Sequence, residues 1–131
     1  MIMLDTNICS YILRNRPPGL RDKLKASVTP AISCVVYAEL CYGVELGASH
    51  LQKERYQQLR QFTDLLKIID WSGTAAEHYA NIRVALKRQG TPIGNMDLLI
   101  AAHARSLDCV LVTNNIGEFK RVDNLKVENW V

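Results

Sequence analysis

A chain of 131 residues with 48% hydrophobic side chains fits one domain, residues 1–131, with a substantial core. No apolar run reaches the ~20 residues of a membrane helix, and Asp5 interrupts the N-terminal apolar run too early for a signal peptide. A net charge of +3, from 16 Lys and Arg against 13 Asp and Glu, points only mildly to an anionic partner.

Met1 to Leu4 reads as a short buried strand, and Asp5, Thr6 or Asn7 can cap a helix over Ile8 to Arg14 that Pro17 and Pro18 stop. A basic stretch with Arg14, Arg16, Arg21, Lys23 and Lys25 leads to a second strand, Thr29 to Ile32. Ser33 caps a helix over residues 34–46, whose apolar positions at Val36, Leu40 and Val44 follow the helical period and which ends near Gly47. Leu51 to Leu66 is a charged amphipathic helix with Tyr56, Leu59, Phe62, Leu65 and Leu66 on its inner face. A brief strand follows at Lys67 to Ile69.

Ser72 or Thr74 opens a long helix to about Gln89, with Ala76, Tyr79, Ala80, Ile82, Val84 and Leu86 as apolar surface and Gly90 placed to end it. After a loop with Pro92 and Gly94, Asn95 caps a helix from Met96 to Leu107 and leaves Asp97 in the first turn, where the helix dipole favours a carboxylate. Cys109 to Thr113 is a β-rich run, a turn carries Glu118 and Phe119, and Lys126 and Val127 add an edge strand. Apolar runs alternating with helices argue for an α/β fold with a mainly parallel sheet covered on both faces.

Cys9, Cys34, Cys41 and Cys109 lack zinc spacing and are expected as four buried thiols, in keeping with a reducing, cytoplasmic setting. His50, His78 and His103 form no HxxxH or HExxH pattern, and no glycine-rich phosphate loop is present. The chemistry therefore rests on acids at strand and helix junctions: Asp5, Glu39, Asp97 and Glu118. Taken singly, Asp5 reads as an N-cap and Asp97 as a dipole acid, whereas Glu39 sits among apolar neighbours and needs a partner. Converging, the four would suit a hard divalent ion, which takes oxygen ligands and activates water against a phosphodiester.

The segments MLDTN at Met3 to Asn7, YAELCYG at Tyr37 to Gly43, PIGNMDLLIAAHA at Pro92 to Ala104 and LVTNNIGEFKRV at Leu111 to Val122 carry a resemblance. In this order and over nearly the whole chain they resemble the PIN-domain ribonucleases, in particular the VapC toxins of bacterial toxin–antitoxin pairs. The resemblance implies a three-layer α/β/α sandwich whose parallel sheet gathers the acids at one end. It matches Asp5, Glu39, Asp97 and Glu118 to the acidic quartet, with Asp5 and Asp97 as direct ligands of Mg²⁺, or Mn²⁺ as the alternative ion. Thr6, Asn7 and Asn115 match polar residues that organise the pocket. Glu118 replaces the more usual aspartate, and Cys34 stands where many members have a small hydroxyl residue.

The activity so implied is a metal-dependent endoribonuclease that leaves a 5′-phosphate and a 3′-hydroxyl. The closing TNN, EF and ENW pattern looks most like the enteric branch, which cleaves initiator tRNA in its anticodon stem-loop. The resemblance further implies a VapB-type antitoxin, a toxin homodimer within a toxin–antitoxin hetero-oligomer, operator DNA reached only through the antitoxin, and no membrane partner. RNA would bind through basic surface, for which Arg14, Arg16, Lys87 and Arg88 are the candidates. Competing readings are a PIN nuclease with another RNA target and a catalytically silent PIN-like module that binds RNA or protein.

Overall fold

The computed structural model describes residues 1–131. The first strand, β1 (Ile2–Leu4), lies at the centre of a five-stranded sheet with β2 (Pro30–Ser33) and β3 (Lys67–Ile69) on one side and β4 (Val110–Val112) and β5 (Lys126–Glu128) on the other. All four pairings are parallel, and in register Met3 stands between Ala31 and Leu111. Met3, Leu4, Ile32, Leu111 and Val112 are completely buried, as apolar runs in a sheet covered on both faces should be. Each such side chain contributes about 1.5–3 kcal/mol of burial.

Helices α1 (Thr6–Arg14), α2 (Leu20–Ala26), α3 (Cys34–Leu46) and α4 (Gln52–Thr63) follow β1 and β2, and α1, α3 and α4 pack on one another. Helices α5 (Gly73–Gln89) and α6 (Asn95–Ser106) form an extensive pair, and a short helix, α7 (Ile116–Phe119), joins β4 to β5. The chain thus builds outward from β1 in one direction, then returns to place β4 on its other flank. The carboxyl ends of β1 and β4 meet at this switch, where open α/β sheets form a crevice.

The mainly parallel sheet expected from the alternating pattern is wholly parallel. Local details differ. Helix α1 begins at Thr6 with Asp5 as its cap, and it ends on Asn15 in the left-handed conformation (φ 55°), ahead of the prolines. The second strand starts at Pro30, because Thr29 turns at positive φ. Helix α2 was read only as a basic stretch; it buries Leu20 and Leu24, and Arg21 donates to the carbonyls of Ile12 and Leu13 at 3.1 and 3.2 Å, closing the end of α1. The 51–66 helix is a single 3-10 turn, Ser49–Leu51, followed by the shorter α4, so Leu65 falls beyond it and is exposed.

Gly94, not Asn95, caps α6, and its carbonyl accepts from the Leu98 amide at 2.9 Å. Of the apolar set on α5, Ile82 and Leu86 enter the core while Ala76, Ala80 and Val84 face outward. Cys9 and Cys109 are buried, but Cys34 and Cys41 are only partly so; the Cys34 sulfur accepts from the Trp71 amide at 3.3 Å. His103 is packed inside α6 with neither ring nitrogen hydrogen-bonded, and burial lowers its pKa despite the nearby Asp70 backbone.

Candidate metal centre

Asp5 leaves the sheet where β1 stops and caps α1: its Oδ1 accepts from the Ile8 amide at 2.9 Å. The cap reading of this residue holds through one carboxylate oxygen, and the other oxygen is left to a second partner. Oδ2 accepts from the Thr113 hydroxyl at 2.5 Å, and Thr113 is itself fully buried at the end of β4. The Thr113 amide donates to the Glu128 carbonyl at 2.9 Å, and its Oγ1 accepts from the Asn115 amide at 2.9 Å. The carboxylate is thus fixed from β1, β4 and α1 together. Burial raises its pKa; the Thr113 and Ile8 hydrogen bonds oppose that rise, and the charge of Glu39 adds to it.

Glu39 projects from α3, half-buried, and its Oε1 accepts from the Thr6 hydroxyl at 2.5 Å. That hydroxyl is the partner its apolar setting demands. Asp97 occupies the first turn of α6, and its pKa is raised to about 6. Burial is the main cause, followed by the charges of Glu118 and Asp5, a hydrogen bond with Glu118, and the charge of Glu39. Asp97 thus feels the charge of the other three acids, although they come from elements far apart in sequence. Glu118 stands on α7 rather than in an open turn, and the Asn115 side-chain amide donates to its Oε2.

Asn7 is exposed beside Asp5 and lines the same opening as Thr6 and Glu39. Cys9 lies beneath, where burial and the Asp5 charge push its thiol well above the ordinary value; such a group is an inert floor. The donor set is therefore entirely oxygen, which suits a hard divalent cation. No three of the His, Cys, Asp and Glu side chains close into a ready-made ligand cage.

A groove of about 670 Å³ leads away from Thr6 and Glu39 between α1, α3 and α4, and Arg14 and Arg55 both line it. Arg14 also borders a neighbouring recess with Tyr11, Arg16 and Pro17. Lys87 and Arg88 lie exposed in the last turn of α5, which residues 90–94 join to the Asp97 turn. The structure's one ion pair is Lys126 with Asp108 at 3.1 Å, so none of these cations is neutralised by an acid.

Sequence reasoning did not single out Thr113, Tyr11 or Arg55. Thr113 had a readable signal, since it ends β4 as Asp5 ends β1. Tyr11 accepts from the Asn114 side-chain amide at 3.0 Å and borders the recess with Arg14, and Arg55 enters the groove only because α4 folds beside α1; no local pattern marks either.

Residues 2–125 match the PIN domain family model. The chain is 44% identical to ribonuclease VapC2 of Rickettsia felis, covering 98% of this chain and 96% of the relative. It is 39% identical to the tRNA(fMet)-specific endonuclease VapC of Shigella flexneri, with the same coverage. Among solved structures it superposes on VapBC2 of Rickettsia felis bound to a promoter DNA fragment, with a TM-score of 0.92, 43% identity and complete coverage of both chains. The DNA-bound VapBC of Salmonella typhimurium gives a TM-score of 0.93 at 35% identity, again over both whole chains. PIN-domain ribonucleases generally use divalent metal ions, in keeping with an all-oxygen crevice. The wholly parallel sheet, the acids at its switch point and similarity along nearly the entire chain thus agree: the chain belongs to the PIN-domain family, among the VapC ribonucleases.

Proposed function

We propose that this chain is the toxin of a toxin–antitoxin pair and acts as a Mg²⁺-dependent endoribonuclease, with initiator tRNA(fMet) as its substrate. The observation that carries this reading is that Asp97 is opposed by the charges of Glu118, Asp5 and Glu39 together, acids brought close from distant parts of the chain. Four carboxylates held together attract a divalent cation, and Mg²⁺ is the hard ion best matched to few carboxylates and several waters.

Asp5 and Asp97 would hold the ion from the two flanks of the crevice. When bound, it neutralises phosphate charge and lowers the pKa of a water for attack on the phosphodiester. Glu39, steadied by Thr6, and Glu118, steadied by Asn115, would orient a water in the crevice, and one of the two would accept its proton. Thr113 keeps the Asp5 carboxylate aimed, and Asn7 lines the approach. Arg14, Arg16, Lys87 and Arg88 supply phosphate contacts around the rim. Water attacking phosphorus with the 3′ oxygen as the leaving group, which takes up a proton, would give products with a 5′-phosphate and a 3′-hydroxyl.

The choice of tRNA(fMet) rests on the Shigella and Salmonella relatives that bear that specificity in their names, at 39% and 36% identity. A VapB-type antitoxin as partner rests on the VapBC complexes that this fold matches, some of them bound to promoter DNA. In this reading operator DNA is reached through the antitoxin, and the toxin pairs as a homodimer within the assembly. No helix is long and apolar enough to cross a membrane.

The test compares wild type and Asp5→Ala on total cellular RNA with Mg²⁺ or EDTA, followed by mapping of the cleaved ends. Wild type with Mg²⁺ should cut a restricted set of RNAs, tRNA(fMet) foremost. Cleavage that persists in Asp5→Ala or in EDTA would overturn the metal mechanism, and RNA bound but left whole would favour a silent binding module.

A further inference from the structure

The turn between β4 and α7 sends three consecutive side chains to three different partners. Thr113 donates to Asp5 and Asn115 donates to Glu118, so two acids from distant parts of the chain depend on one short turn. Asn114, between them, donates its side-chain amide to the Tyr11 hydroxyl on α1, at 3.0 Å. That is the single hydrogen bond Asn114 makes: its backbone amide and carbonyl take part in none, and the Tyr11 hydroxyl has no other partner.

The two ends of the turn are anchored differently from its middle. The Thr113 amide donates to the Glu128 carbonyl at 2.9 Å, and the Asn115 carbonyl accepts from the Phe119 amide at 3.3 Å, which ties each end to a regular element. The middle is tied to α1 through Tyr11 alone. Asn115 sits at φ −95° and ψ 55°, outside the helical and extended regions, so no backbone ladder dictates where its side chain goes. Tyr11, half-buried and packed against the core on a helix that Asp5 caps, is a fixed post for such a turn.

Groups that must be placed to within about 0.5 Å are sensitive to whatever holds their supports. Resting on the ribonuclease reading, we propose that Tyr11 is a positioning residue for the cleavage: through Asn114 its hydroxyl fixes the 113–115 turn in the conformation that lets Thr113 reach Asp5 and Asn115 reach Glu118 at once. It need touch neither metal nor RNA. Loss of the hydroxyl loosens the support of both acids together.

The test removes one oxygen atom. Tyr11→Phe keeps the ring that packs against the core and faces Arg14, and loses only the hydroxyl. In the full chain with Mg²⁺ and RNA, kcat should fall about 10-fold while KM changes by less than about 2-fold. In the metal-free protein without RNA, hydrogen exchange followed by NMR should show the Asn115 amide, which donates to Thr113 Oγ1 at 2.9 Å, exchanging several-fold faster. The Leu98 amide, bonded to the Gly94 carbonyl, should keep its rate. Asn114→Ala should reproduce both changes, and the double variant should be no worse than either single one, because all three lack the same bond. Tyr79→Phe takes a comparable hydroxyl from α5, where it accepts from Arg83 at 2.8 Å, and should alter neither kcat nor Asn115 exchange.

Wild-type kcat in Tyr11→Phe would overturn the proposal, and so would unchanged exchange at Asn115. Losses that add in the double variant would show two separate roles and overturn it as well. A raised KM with kcat intact would make Tyr11 part of the RNA-binding surface instead. If wild type itself left RNA whole with Mg²⁺, the ribonuclease reading would fail and the positioning role with it; wild type that cuts beside an equally active Tyr11→Phe sinks the positioning role alone.

Discussion

The two ends of α6 solve the problem of charge in opposite ways. At its C-terminal end Arg105 is saturated: Nε donates to His78 Nδ1 at 2.9 Å, one terminal nitrogen to Asn81 Oδ1 at 2.8 Å, and the other to the Asp123 carbonyl at 3.1 Å. A cation near a helix C-terminus, surrounded by neutral acceptors, completes itself within the protein. At its N-terminal end Asp97 feels the charges of three other carboxylates, so its charge is opposed rather than satisfied. The first end is architecture. The second is left electrostatically incomplete, and the proposed function places the metal ion there.

The contrast is broken most sharply by Asp97→Asn. Turnover should fall by at least about 100-fold, while the metal-free protein becomes more stable, since one of four repelling acids is gone. The wild-type pH dependence should disappear with it. In the fold Asp97 titrates at about 6 rather than its ordinary 3.8, so the stability linked to its proton is fully present below about 4 and lost as pH rises through about 6. Thermal melts should therefore show Mg²⁺ raising Tm more at pH 7.5 than at pH 5, and equal increments at both would break the comparison.

Thr113→Val sharpens the same end with a smaller effect. Removing the hydroxyl that Asp5 leans on should raise the Asp5 pKa further and cut metal affinity and activity by about 10-fold, with the loss recovering as pH rises. Isothermal titration with Mg²⁺ and a pH–rate profile would check it. The smallest catalytic effect belongs to the finished end: Arg105→Ala should cost about 1–3 kcal/mol of stability in denaturant unfolding, yet change kcat/KM at 25 °C by less than about 2-fold.

Legibility in the sequence follows how local each cause is. Asp5 could be placed at a strand end and helix start because four apolar residues precede it and a helix follows, and the same logic put Asp97 in a first turn. Helix α2 escaped because it has only Leu20 and Leu24 to bury and a left-handed Gly19 in place of a capping side chain. Its basic residues read only as a charged stretch, yet Arg21 spends its donors on the end of α1. Glu39 was legible as an acid in want of a partner, but Thr6 became that partner only when α1 and α3 packed. Arg55 offered no signal, since a lone arginine in a charged helix is ordinary until another helix brings it into a groove.

The sequence by itself determined an α/β fold, the strand and helix junctions that carry Asp5 and Asp97, and, through ordered motifs along nearly the whole chain, the family. These are matters of period, capping and local composition, which act over a few residues. Only the tertiary structure decided that Thr113, 108 residues from Asp5, holds its carboxylate, that four acids oppose one another across a single crevice, and that Arg14 and Arg55 share one groove. Those facts depend on strand order. Setting β4 beside β1, rather than beyond β3, brings the distant acids close enough for their charges to be felt, and Coulomb interaction depends on distance in space and not along the chain.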